Sequence, residues 1–306
     1  MILRPKMNWF RMLFVWHGSV LPSILAQLLL VWAISSLVAW SHGRLFGYTI
    51  PLNVAPFTLI GVALALFLGF RNSASYDRYW EGRKLWGSLL IVTRSLSRQA
   101  LSIGGMQTTD PEMETWTSLL IAFAHALRHQ LRGSNPDEDL HRLLSPERSR
   151  EILAARYRPA IVLVMLGKWV AERKREGVYG EITATALDHN LNHMSEVLGG
   201  CERLANTPLP YAYSVMIHRT VYVYCFLLPF GLVSSIGAMT PVVSVFVAYT
   251  FMVLEALAAE LDQPFGTLPN SLPLASLCET IEDSLREMSG NDLGEIATAS
   301  RKFIVL

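Results

Sequence analysis

Charge is scarce in this chain of 306 residues: 17% are Asp, Glu, Lys or Arg, against 51% hydrophobic. Three stretches lack those four residue types altogether, Met12–Gly43, Leu45–Phe70 and Thr220–Leu254. Together with a positive mean hydropathy, this excludes an ordinary soluble domain and points to a membrane protein. A surplus of one sign is also missing. With 26 basic and 25 acidic residues the formal net charge is +1, which argues against nucleic acid as a partner. Cysteine is reduced to Cys201, Cys225 and Cys278. They have no paired or metal-ligand spacing, so no disulfide framework is expected. The chain carries no phosphate loop, dinucleotide glycine pattern, nucleophile elbow or zincin motif, and no repeat or heptad array. An enzyme reading therefore starts weak, and no cofactor is expected.

What is there is hydrocarbon-length helix. Each of the first two charge-free stretches holds the roughly 20 apolar residues that carry a helix across about 30 Å of hydrocarbon. The third is too long for one span, and Gly237-Ala-Met-Thr-Pro241 is a turn signal, splitting it near Tyr213–Ile236 and Pro241–Ala259. Four spans result. Arg4, Lys6 and Arg11 precede the first, and Arg71, Arg78, Arg83 and Lys84 follow the second, while the loop between them offers only Arg44. Positive charge marks the cytosolic side, so both termini are expected there. The first apolar run is longer than a signal-peptide core, and no small-residue cleavage site follows it.

The expected organisation is an all-α membrane protein. Residues 1–18 form an N-terminal interfacial helix, with Trp9 and Trp16 as anchors. Residues 19–70 hold spans one and two, 71–210 a cytosolic helical region, 211–261 spans three and four, and 262–306 a cytosolic C-terminal segment. Breaks at Gly104-Gly105, at Gly133-Ser-Asn-Pro136 and at Gly177 divide the middle region into about four helices. Thr109-Asp-Pro-Glu112 reads as a helix start, and a last helix runs to about Met288.

Candidate functional residues fall into six groups. In the second span, every fourth residue gives Val62, Leu66 and Phe70, a stripe of bulky apolar side chains. That stripe is either packing between helices or, facing a shared axis, a constriction that gates by excluding water. Beyond it come Ser73, Asp77 and Glu81. Their carboxylates either ring an inner mouth and favour cations, or pair with Arg78, Arg83 and Lys84 on the same helix. Asn53, before the second span, either lines an outer mouth or caps the helix. His189 and His193, four residues apart with Glu196 beside them, could chelate a divalent ion, though a solvated helix face gives the same pattern. His125 and His129 repeat the spacing in an apolar helix, where a structural role is favoured. Arg219, His218 and Glu255 lie near span ends, where they either snorkel to the interface or serve a pore.

The run Phe67-Leu-Gly-Phe-Arg-Asn-Ser-Ala-Ser-Tyr-Asp-Arg-Tyr-Trp-Glu-Gly-Arg-Lys-Leu-Trp-Gly87, followed far downstream by Glu260-Leu-Asp-Gln-Pro-Phe-Gly266, resembles the bacterial branch of the bestrophin family. The resemblance covers nearly the whole chain. It implies a homopentameric ion channel with one central pore, in the bacterial inner membrane. Its partners are the lipid bilayer, further copies of the chain and permeant monovalent ions. It also implies that Val62, Leu66 and Phe70 are neck positions, and that Ile182, in Gly177-Val-Tyr-Gly-Glu-Ile182, matches a second, cytosolic aperture. Animal members bind calcium through an acidic run after Pro-Phe-Gly. Here that stretch is Thr267-Leu-Pro-Asn-Ser-Leu-Pro273, with no carboxylate for an ion that needs six to eight oxygens. Opening is therefore expected to be independent of calcium.

Selectivity is expected to lean to cations such as sodium, on the bacterial resemblance and on Asp77 and Glu81. The alternative is a chloride channel like the animal members. Two other classes compete. One is a membrane-anchored interaction protein, and the other is a membrane enzyme using a metal on His189 and His193. A secondary transporter would show inverted repeats or broken helices with midplane polar groups, and neither is visible.

Overall fold

The computed structural model describes residues 8–16, 18–45, 48–49 and 53–290. Its elements are α1 (Trp9–Met12), α2 (Leu21–Trp40), a two-residue antiparallel ladder of β1 (Arg44–Leu45) and β2 (Tyr48–Thr49), and α3 (Val54–Leu101). Then follow α4 (Pro111–Arg132), α5 (Asp137–Leu143), α6 (Pro146–Leu153), α7 (Arg158–Arg175), α8 (Glu181–Asn206), α9 (Tyr211–Ile236), α10 (Thr240–Leu261) and α11 (Leu274–Met288). Of the interfacial helix expected over 1–18, the described residues contain one turn, Trp9–Met12.

The chain divides into two compact units. Among the described residues, one is built from residues 8–79 and 208–263, the other from residues 80–207 and 264–290. Helix α3 contributes to both. Its 48 residues correspond to roughly 72 Å at 1.5 Å per residue. It continues where an apolar segment becomes a charged one because nothing between Leu68 and Trp86 breaks it: Gly69 and Gly82 are tolerated in a helix, and no proline falls there.

The first unit has an apolar core. Helix α2, the beginning of α3, and α9 to α10 are long and apolar enough to cross a membrane. A short 3₁₀ turn at Gly237–Met239 separates α9 from α10, with Gly237 at φ +54, a conformation glycine adopts without steric cost. The turn falls where the Gly-Ala-Met-Thr-Pro signal places it. The core joins Ile24, Leu28 and Val31 of α2 to Phe57, Leu64 and Leu68 of α3, Val221, Tyr224 and Leu228 of α9, and Phe251 and Met252 of α10. Gly231 lets α3 and α9 approach: a Cβ there would lie 2.6 Å from two ring atoms of Phe57. Much apolar surface stays outside this core, as expected where lipid or another copy is the neighbour.

The second unit is organised around α4. Its centre, from Leu119 to Leu127, is almost wholly buried, which no amphipathic surface helix would be. Trp116, Trp169 and Tyr179 stack in sequence with ring centroids 4.5 and 5.8 Å apart. Including the end of α3, six helical segments occupy residues 71–210, rather than about four. The additional pieces are α5 and α6, each begun by a proline-bearing start at Pro136 and at Ser145-Pro146, where Ser145 accepts from the Arg148 N–H. Helix α4 starts at Pro111 with Asp110 as its cap residue. The Asp110 side chain accepts from the Gln107 N–H at 2.7 Å, so the loop before the helix takes it.

Candidate pore-lining site

Helix α3 opens with Asn53, whose Oδ1 accepts from the Ala55 N–H at 3.3 Å. The capping alternative thus describes what this side chain does in the chain itself. From there the helix presents two faces. Phe57, Leu64, Leu68, Arg71 and Ser75 are buried in the unit's core. On the opposite face Val62, Leu66 and Phe70 are 67, 57 and 61% exposed. The stripe found by its four-residue spacing is therefore not part of the subunit's own packing. Among the described residues nothing covers it.

Where the apolar face ends, polar groups lock α3 to α10. Arg71, almost wholly buried, places Nη1 3.2 Å from Glu255 Oε1, and His218 Nδ1 of α9 lies 3.3 Å from the same oxygen. Asn72 donates to the Leu254 carbonyl at 3.2 Å and to the Leu68 carbonyl at 2.9 Å. Glu255 is thus a partly buried partner of Arg71, while Arg219 is exposed. Nearly two turns further on, Arg78 Nε sits 2.7 Å from Asp262 Oδ1. In the other unit, Gly82 is packed so closely that a Cβ would meet Leu272 and Phe265 at 3.2 Å and Pro264 at 3.3 Å. The two motifs far apart in sequence thus meet at Arg78 with Asp262 in one unit and at Gly82 with Pro264 and Phe265 in the other.

The carboxylates beyond the stripe separate. Glu81 pairs with Arg203 of α8, so the expected neutralisation by Arg78, Arg83 and Lys84 gives way to a partner 122 positions downstream. Asp77 is exposed and has no ion pair among the described residues. Ile182, on the first turn of α8, is 87% exposed. It borders a groove of about 500 Å³ with Gln99, Thr185, His189 and Asn190. His189 and His193 are neighbours on α8, with Nε2 atoms 3.2 Å apart.

Sequence reasoning left one cluster unassembled. His125, buried in α4, lies with Nδ1 3.2 Å from Asp139 Oδ2 and Nε2 3.3 Å from Glu282 Oε2. Arg128 and His129 also reach Asp139, at 2.5 and 2.8 Å, and Arg142 and Arg286 reach Glu282 at 2.5 and 2.9 Å. Burial raises the Asp139 carboxyl, but the His129 hydrogen bond and the charges of His125 and Arg128 outweigh it and hold it below the usual range. Glu282 is likewise raised by burial and more than offset by Arg142, His125 and Arg286, ending well below the usual carboxylate range. Burial lowers His129. The cluster ties α4, α5 and α11 together, the structural role that the apolar setting of His125 favoured. The i, i+4 spacing was its only sequence signal, since both acidic partners come from other helices.

Residues 1–287 match the model of a family described as bacterial/fungal bestrophin proteins. A voltage-dependent anion channel-forming protein of Ralstonia nicotianae is 51% identical over 306 residues, covering all of both chains. One of Escherichia coli strain K12 is 44% identical over 299 residues, covering 97% of this chain and 96% of its own. Among solved structures, a crystal structure of a bacterial bestrophin homologue from Klebsiella pneumoniae is 45% identical, covers 88% of this chain and 99% of its own, and superposes with a TM-score of 0.84. The two named relatives carry the word anion, so the expected preference for sodium finds no support among them.

Proposed function

The chain belongs to the bacterial/fungal bestrophin family, and on that premise we propose that it forms a homopentameric channel for small monovalent ions around one central axis. Four spans, α2, the first part of α3, α9 and α10, sit in the bacterial inner membrane with both termini in the cytosol. Five copies of α3 present Val62, Leu66 and Phe70 to the axis as a neck, and five Ile182 side chains make a second constriction. The observation that carries this reading is the exposure of a bulky apolar stripe opposite the buried face of the same helix. In a narrow ring such side chains exclude water, so a closed neck needs no moving plug.

Apolar rings carry no sign, and selectivity must come from charges at the mouths. We place anions first, since the named relatives are anion channel-forming proteins and Glu81 is tied to Arg203. A cation reading is favoured by one observation, the exposed Asp77 on α3. Purified protein in a planar bilayer under a tenfold potassium chloride gradient separates them, because the reversal potential takes the sign of the permeant ion. The absence of carboxylates in Thr267–Pro273 supports opening without calcium, and a reversible current increase on adding micromolar calcium would refute it. A membrane anchor for a partner protein would show no ion flux in liposomes.

A further inference from the structure

Helix α8 carries a histidine pair for which the channel reading has no use. His189 and His193 stand on one helix face, with ring centroids 4.7 Å apart and ring planes at 84°. Their Nε2 atoms are separated by 3.2 Å. Two imidazole nitrogens bound at 2.0–2.1 Å to one tetrahedral zinc ion would be roughly 3.3–3.4 Å apart. In the metal-free chain this contact is a hydrogen bond from one Nε2–H to the other Nε2, and an ion held by both nitrogens would displace that proton at nearly the same spacing.

The groups around the pair fit that use. His193 Nδ1 lies 2.9 Å from Glu196 Oε2. A carboxylate at that nitrogen keeps the proton there and leaves the Nε2 lone pair directed at His189, as carboxylates do behind metal-bound histidines. The His193 and Glu196 side chains are 43 and 73% exposed, so an ion reaches them directly from solvent. No set of three or more His, Cys, Asp or Glu converges among the described residues. The protein therefore supplies two ligands, and water completes the shell.

We propose that His189 and His193 form a two-histidine site for a borderline divalent transition ion such as zinc or nickel, with Glu196 as a positioning residue. Imidazole suits these ions, whereas calcium and magnesium demand oxygen. His189 also borders the groove that holds Ile182, and the two histidines lie seven and eleven residues beyond Ile182, roughly 10–16 Å along the helix. A bound dication therefore changes the potential on the face that carries Ile182 and modulates ion flux. That modulation, unlike the binding, rests on the channel reading.

The test uses the full-length protein in detergent, with affinity tags removed and metal stripped, titrated with zinc chloride by calorimetry. One ion per chain is expected. His189→Ala and His193→Ala should each weaken binding at least tenfold, and Glu196→Gln several-fold. Excess calcium should not displace the zinc. Unchanged zinc binding in the double histidine variant, or displacement by calcium, overturns the site. Size-exclusion elution and tryptophan fluorescence verify folding, and a misfolded alanine pair is replaced by His189→Gln with His193→Gln. Because binding is read without ion flux, failure of the channel reading leaves the result standing. Chloride and potassium flux through liposomes, with and without zinc, reads the second half: a change in the wild type that the double variant loses supports modulation, and no change in the wild type overturns it.

Discussion

Replacing Leu66 by Ala removes three carbons from the middle of the apolar stripe in every copy. The stripe runs from Val62 to Phe70, roughly 12 Å of helix axis, so the substitution opens its centre while leaving bulky residues at both ends. The structural cost is small. A fully buried Leu→Ala change costs about 2–5 kcal/mol, but Leu66 is 57% exposed, and the loss should scale down to about 1–2 kcal/mol or less. The functional effect runs the other way. If the ring excludes water, a wider centre lowers the barrier to a hydrated ion, and each tenfold gain in conductance corresponds to about 1.4 kcal/mol of barrier. We expect a several-fold rise in single-channel conductance in planar bilayers at unchanged oligomer yield, and a fall in Leu66→Phe. Conductance unchanged in both variants, with only melting temperature altered, would mean that the stripe meets lipid or a neighbouring helix and would refute the neck.

Three further outcomes are expected. Glu255→Leu leaves Arg71 buried without its carboxylate partner, at a cost of about 3–5 kcal/mol, whereas the double change Arg71→Met with Glu255→Leu should regain most of it; fluorescence-detected thermal melting of the wild type, Arg71→Met, Glu255→Leu and the double variant gives the coupling, and additive losses would show the pair to be inert. Acid should destabilise the unit that contains α4. Because His129 is lowered by burial, its contribution is present above the unfolded value of about 6.5 and is lost as pH falls through the lower folded value. Because Asp139 and Glu282 are also lowered, theirs is present above about 4 and lost below it; melting temperatures flat between pH 7 and pH 3 would contradict both. Finally, Asp77→Asn should shift the reversal potential toward anions if that carboxylate lines the conduit, and leave it unmoved if it faces bulk solvent.

Much of the spanning architecture was legible because hydropathy over 20 residues is a local property. The charge-free runs mark α2 and the start of α3, and Gly237 with Pro241 marks the break between α9 and α10. The last helix ends at Met288 as expected, since turn-rich Thr267–Pro273 and the amphipathic run after it are also local signals. The two short helices α5 and α6 were not separated in the sequence reading, being too brief for periodicity to accumulate. The ion pairs were misjudged for a different reason. Charges adjacent on a helix invite pairing at short range, but Glu81 is taken by Arg203 and Arg78 by Asp262, partners that only the fold brings near.

By itself the sequence determined that this is a helical membrane protein, which helix is long, and which of its faces carries bulky apolar side chains, since each follows from composition and a period of 3.6 residues. The tertiary structure alone decided that the Val62, Leu66 and Phe70 face lies outside the subunit's own core. It also decided that Arg71, Glu255 and His218 converge, and that the Nε2 atoms of two histidines of α8 stand 3.2 Å apart. The physical reason is that periodicity fixes which residues share a face, whereas what covers that face depends on packing between segments far apart in the chain.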